Sequence, residues 1–383
     1  MKIVYLFNGR LPTEKAHGLQ IAKSCEAFAQ AGFDVELLVS YRANKIKEDI
    51  FSYYGLKKKF RIKNVFGVDF RATGKIAYMA QTGISALSLL LYLFFKFKKQ
   101  DTIFYARDYS SLFALSLFGF RPVAEFHDYR FNKKRKFLQF ILNHSRKIIV
   151  NSKGTRELLF QHYAIDQGKI MVAPNGVDLD FFSPEISKEE ARKELGLPEG
   201  IIIGYTGRLE MVGVDKGVGW LLAVFSGIKS GNTTLCIVGG PDEMVDYYKK
   251  IEKIAGTMAT VNRVIFTGQV RHEKIPLYLK AMDIVVIPLL SGRHARTTSP
   301  MKLFEYMAAG KAILASDVPS LRDYLNDNNS LLFGTDSDSL THAIDRLIAD
   351  RDLAVKIGSQ ARKDAQKYSW LNRARTIKDF VYE

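Results

Sequence analysis

The chain carries only two cysteines in 383 residues, Cys25 and Cys236. They lie too far apart for a disulfide framework or a thiolate metal site, which fits a reducing, cytoplasmic setting. The apolar start "MKIVYLF" ends at Asn8. It is too short for the hydrophobic region of a secretory leader and reads instead as a first buried strand. Short-period repeats and low-complexity tracts are absent, which excludes solenoid and linker-dominated organisation. The glycine turns in "GYTGRLEMVG" and "VGGPD" lack the spacing G-x-G-x-x-G, so a nicotinamide dehydrogenase is disfavoured. Acidic metal motifs are sparse as well: "DLD" at 178–180 follows a turn signal rather than a strand.

A hydrophobic content of 47% with 25% charged residues is ordinary for a globular chain of two or three domains. The net charge of +16 is unevenly placed. Residues 1–175 hold 29 Lys and Arg against 13 Asp and Glu, whereas the remainder balances at 27 against 27. The excess gathers in "KKKFRIK" at 57–63, "KFKK" at 96–99 and "RFNKKRK" at 130–136, each with aromatic residues inside or beside it. Such clusters suit anionic lipid headgroups or nucleic acid, or simply a solvated face. The uncharged run 76–95 approaches bilayer length, but it contains Gln81, Thr82, Gly83, Ser85 and Ser88 and feeds directly into "KFKK". A core or interfacial helix is expected there rather than a span.

Strand and helix signals alternate twice along the chain. "KIVYLF", "FDVELLVS", "TIFYA", "PVAEFH" and "KIIVNS" form one series; "GIIIGYT", "TTLCIVGG", "RVIFTGQV", "DIVVIPL" and "KAILAS" form another. This α/β pattern predicts two doubly wound, Rossmann-like domains facing a central cleft. Residues 1–174 are expected to form the first, joined by a C-terminal helix at about 368–383, and 175–367 the second, with Asn175-Gly176 as the hinge turn.

In such sheets ligands gather at the carboxyl ends of strands, where Gly18, His127, Arg208, Lys216, Val270 and the stretch 297–305 all fall. The stretch "TTSPMKLFEYMAAG" has Ser299 as expected N-cap, Pro300 at the first helical position and Gly310 as stop. Its first turn holds Lys302, preceded by Arg293, His294 and Arg296, where acidic residues normally complement the helix dipole. An anion such as phosphate suits that end, and Glu305 can accept from vicinal hydroxyls. The plainer reading is a surface helix with Lys302 extended into solvent. His127 is likewise a polarising group or a core histidine ending a strand.

These residues, in this order, resemble the retaining glycosyltransferases of family 4. The likeness runs through "MKIVYLFNGR", "HGLQIAK", "EFHD", "APNGVDLDFF", "GYTGRLE" with Lys216-Gly217, "FTGQV", "SPMKLFEYMAAGKAILAS" and "YSWLNRA". The resemblance implies the GT-B fold. It also implies Arg208 and Lys216 on a donor diphosphate, the amides of Met301, Lys302 and Leu303 on its distal phosphate, and Glu305 on the ribose. Val270 would meet the base through its backbone, Gly18 would let the first loop approach the phosphates, and His127 would touch the donor sugar. Thr297 stands where the E-x7-E pattern of the family has its first carboxylate, so Thr297 and Ser299 complete the expected substrate-binding set.

The expected activity is transfer of a sugar from a UDP- or GDP-type donor to a lipid-linked or polysaccharide acceptor. Configuration would be retained by front-face attack, with no metal and no cofactor beyond the donor. A cytoplasmic protein, peripheral on an anionic membrane through its basic first domain and without specific nucleic-acid binding, completes the reading. A nucleotide-sugar 2-epimerase, a basic nucleic-acid-binding protein and a non-catalytic partner subunit are the alternatives.

Overall fold

The computed structural model describes residues 1–69, 74–127, 135–211, 214–228, 232–254 and 263–383. The chain divides into two units, Met1–Asn175 with Trp370–Glu383, and Gly176–Ser369. Most of the 130–136 cluster lies outside the described residues, as do the side chains of Arg293 and His294.

The first unit is built on seven strands: β1 (Lys2–Phe7), β2 (Asp34–Ser40), β3 (Arg61–Val65), β4 (Thr102–Ala106), β5 (Val123–Phe126), β6 (Lys147–Val150) and β7 (Ile170–Val172). Their order is β3-β2-β1-β4-β5-β6-β7, and every pairing is parallel. Strands buried on both faces need apolar side chains at nearly every position, which is why "TIFYA" is buried throughout. The chain turns back between β1 and β4, so the loops after these strands border the switch point of the sheet. The basic stretch 57–63, read only as charge, runs into edge strand β3, where Arg61 pairs with Asp34 at 2.6 Å. Charged edges of this kind discourage further strand pairing.

The helix Ala16–Gln30 buries Leu19, Ile21, Cys25 and Phe28, and the helix Trp370–Tyr382 packs against it. Residues 76–95 fall in a helix, Lys75–Lys96, that lays Leu89, Leu90 and Leu93 into the core of this unit. Its segment Met79–Lys96 has a mean hydropathy of 1.3 and is long enough to cross a membrane, with 28% of it buried in the unit.

The second unit repeats the plan with β8 (Ile201–Thr206), a hairpin of β9 (Glu210–Met211) and β10 (Val214–Asp215), then β11 (Thr233–Val238), β12 (Arg263–Phe266), β13 (Ile284–Ile287), β14 (Ala312–Ser316) and β15 (Leu331–Phe333). The main sheet runs β12-β11-β8-β13-β14-β15, all parallel, with its switch point between β8 and β13. Two cores cover its faces, one around Met282, Phe304 and Leu321, the other around Tyr205, Leu222 and Ile344.

Candidate active site

The switch point of the second sheet gathers the loops after three neighbouring strands. Gly207 follows β8 and donates to Val238 O at 2.8 Å; Leu209 N donates to Gly240 O at 3.0 Å, tying this loop to the one after β11. Gly239 has φ +139°, and a Cβ there would overlap Gly207 O, so the two turns touch backbone to backbone. The β9–β10 hairpin then returns the chain, with Lys216 N donating to Leu209 O at 2.9 Å. The Asp215 carboxylate accepts from Val218 N and Gly219 N at 2.9 and 3.1 Å, capping the next helix. A Cβ on Gly217, at φ +85°, would overlap Pro288 O in the loop after β13. Lys216 is thereby fixed between the β8 and β13 strand ends.

The helix Met301–Ala308 is locked to the same spot through Tyr306, whose buried hydroxyl accepts from Thr206 N at 2.7 Å. One turn earlier, Lys302 passes under Gly207 and places its Nζ 3.4 Å from the centre of the Tyr205 ring. Among the described residues no carboxylate pairs with Lys302. Burial first, then the Lys216 charge, drive its ammonium well below the usual lysine range against the pull of Glu305. Burial alone brings Lys216 down to about 8. Arg208 is exposed, its carbonyl held by the Tyr205 hydroxyl at 2.7 Å and its guanidinium without a partner among the described residues. Lys216 and Lys302 are therefore neighbours at this switch point, and Arg208 leaves the same loop after β8.

The helix start differs from the expected one. Pro300 is the N-cap, with ψ 131°, and the helix begins at Met301; Ser299 does not cap it. Ser299 is buried beside the Tyr324 hydroxyl instead. Leu303 N donates to Pro300 O at 3.1 Å, so this amide is already used, and its side chain lies wholly in the core. The amides of Met301 and Lys302 find no acceptor among the described residues, and the first turn carries no acidic residue. Thr297 is buried at the end of the short helix Arg293–Thr297.

Glu305 is buried one turn beyond Lys302, its Oε1 3.5 Å from His272 Nε2. His272 stacks on Phe181 with ring centroids 5.2 Å apart, a neighbour that sequence reasoning missed. Val270, in the loop after β12, packs half-buried against the core that holds Leu303 and Phe304. Asp178 of "DLD" accepts from Phe181 N at 3.2 Å as a turn cap. Among the described residues no cluster of His, Cys, Asp or Glu is placed to share a metal ion.

In the first unit, His127 directly follows β5, with its Nε2 2.5 Å from Glu125 Oε1. Glu125 also accepts from Arg373 at 2.6 Å and from the Tyr105 hydroxyl, all of it buried. Burial works against this carboxylate, but Arg373, His127 and Arg107 hold it well below the usual range. Burial and Arg107 pull the His127 imidazole down to about 4, against Glu125. The ring is therefore neutral. Because a carboxylate can only accept, Nε2 carries the proton and Nδ1 is left as an acceptor. Glu125 and Arg373 were not singled out from sequence, although the alternation in "EFH" puts Glu125 and His127 on one face of the strand. Gly18 needs correction. It lies within the first turn of the Ala16–Gln30 helix, not on the loop, and a side chain there would strike the Tyr54 hydroxyl that bridges Thr13.

Comparison with known proteins agrees with this architecture. A model of Glycosyltransferase Family 4 matches residues 20–181, and one of glycosyl transferases group 1 matches 200–350. The chain belongs to the family 4 glycosyltransferases and has the GT-B fold. It is similar to the D-inositol 3-phosphate glycosyltransferase of Stackebrandtia nassauensis, 25% identical over 244 residues that cover 61% of this chain and 53% of the relative. The match thus spans about half the length of the curated relatives. Sucrose-phosphate synthase from Thermosynechococcus elongatus shares the fold with a TM-score of 0.77 at 19% identity, covering 100% of this chain and 98% of that one. Anabaena HepE, solved with UDP, gives 0.75 at 18% identity with both chains covered at 100%.

Proposed function

We propose that the protein moves a sugar from a nucleoside diphosphate donor to a lipid-linked or polysaccharide acceptor, with retention at the anomeric carbon. The observation that carries this reading is the meeting of Lys216, Lys302 and the open amides of Met301 and Lys302 at one sheet switch point, beside the loop that carries Arg208. A departing diphosphate concentrates negative charge on its oxygens. Fixed donors in a partly desolvated crevice stabilise that charge without having to reorganise. Arg208 and Lys216 take the bridging region, the helix start takes the distal phosphate, and Glu305 accepts from the ribose hydroxyls. Val270 offers its backbone to the base. This charge supply supports a metal-independent reaction, in which the leaving phosphate receives the acceptor proton and no protein nucleophile is needed.

His127 is assigned to the donor sugar, where its Nδ1 accepts from a hydroxyl. A structural neighbour supports the nucleotide class: HepE was solved with UDP and with UDP-glucose. Buried, unpaired Cys25 and Cys236 suit a reducing, cytoplasmic compartment. The test is a thermal-shift panel of UDP, GDP, ADP and their sugars, followed by the anomeric configuration of the product by NMR. One base should stabilise the protein, by about 2.7 kcal/mol at 100 times its dissociation constant. No response to any nucleotide, or an inverted product, would defeat the proposal.

A further inference from the structure

The Lys75–Lys96 helix is apolar on its outside. Ile84, Leu87, Leu91, Phe94 and Phe95 are exposed, Phe95 to 89%, and their spacing of three and four residues puts them along one stripe. The opposite face is already committed: Leu89, Leu90 and Leu93 are in the core, and Gln81 and Ser85 are buried. The stripe continues onto the end of the next helix, Tyr109–Leu117, where Leu117 and the capping Phe118 are exposed and Phe118 meets Phe94 edge-on at 6.0 Å. At this end Lys96, Lys98 and Lys99 are exposed, and Lys99 Nζ lies 5.5 Å from the Phe94 ring. From 75 to 100 the chain contains no Asp or Glu.

We propose that this face seats the first unit on an anionic lipid surface, with the helix lying in the plane of the interface and Leu87, Leu91, Phe94 and Phe95 inserted among the acyl chains. An outward apolar stripe this long is a surface that water penalises and a bilayer interface accepts. The lysines favour lipid over a second copy of the chain, because two copies paired through this face would bring like charges together, whereas anionic headgroups neutralise them. The helix does not cross the bilayer. It leads into β4, which pairs with β1 in the centre of the sheet, and withdrawing it would strip Leu89, Leu90 and Leu93 from the core. The inference concerns a surface of the first unit and stands independently of the donor chemistry.

Co-sedimentation of the full chain with vesicles of phosphatidylcholine, with and without 30% phosphatidylglycerol, tests it. The wild-type protein should bind only the anionic vesicles and detach as salt is raised. Lys96→Gln with Lys98→Gln should lower partitioning about 25-fold, at about fivefold per lysine. Leu87→Ser, Leu91→Ser and Phe95→Ser combined should abolish it while leaving the melting temperature and nucleotide affinity unchanged, which separates lost seating from lost folding. Equal binding to neutral vesicles, no binding to either, or full binding by the triple variant would overturn the proposal. So would sedimentation of the lipid-free protein as a dimer that the triple variant dissolves.

Discussion

Replacing Lys302 by Met should make the nucleotide-free protein more stable and the nucleotide complex weaker. Methionine keeps the aliphatic stem that passes under Gly207 and removes an amine that no carboxylate pairs with among the described residues. Leaving such a polar group poorly solvated costs about 1–3 kcal/mol. Its attraction to the Tyr205 ring offsets about 0.5–2 kcal/mol of that, and a thioether against the same ring restores much of the loss. The net gain should be about 1–2 kcal/mol, or several degrees in melting temperature for a unit of this size. Nucleotide binding moves the other way. One charge-assisted contact of about 1.5–3 kcal/mol corresponds to affinity lower by roughly 10- to 150-fold. Differential scanning fluorimetry without ligand and calorimetric titration with nucleotide read the two effects separately. A less stable apo protein, or an unchanged affinity, would refute the argument that the partly buried Lys302 is placed to receive an anion.

The same crevice predicts two opposite slopes with pH. Folded Lys216 loses its proton near 8 and the unfolded chain near 10.5, so between them the unfolded state binds more protons and the apo protein should gain stability as pH rises. Nucleotide affinity should fall over that range, and parallel slopes would contradict the assignment. In the first unit, Glu125→Ala strands a buried Arg373 and should cost about 3–5 kcal/mol by urea unfolding; a loss under 1 kcal/mol would mean the network is not structural. Turnover should persist in excess chelator, and a complete loss restored by added metal would contradict charge stabilisation by protein groups alone.

The two α/β series and the run of motifs were legible because they rest on local signals: apolar strands, glycine turns and helical spacing. The helix after Thr297 was legible for the same reason, but its first residue was displaced by one. Ser299 looks like a cap in isolation, yet it is buried beside Tyr324 and Pro300 forms the boundary. What was not legible is non-local. The steric reason for Gly18 lies in the Tyr54 hydroxyl on another helix, and Glu125 meets Arg373 across 248 residues of chain. Lys302 could be marked as an oddity of charge from sequence, but only the fold brings it under Gly207 and beside Lys216. The outward apolar face of the Lys75–Lys96 helix could not be assigned a direction before the buried face was known.

The central claim is that a diphosphate belongs at the switch point between β8 and β13. A crystal structure of the protein with its preferred nucleoside diphosphate tests it directly. The distal phosphate should lie within hydrogen-bonding distance of the Met301 and Lys302 amides, with Lys216 and Arg208 on the remaining oxygens. A nucleotide bound elsewhere, with these groups untouched, would contradict the account.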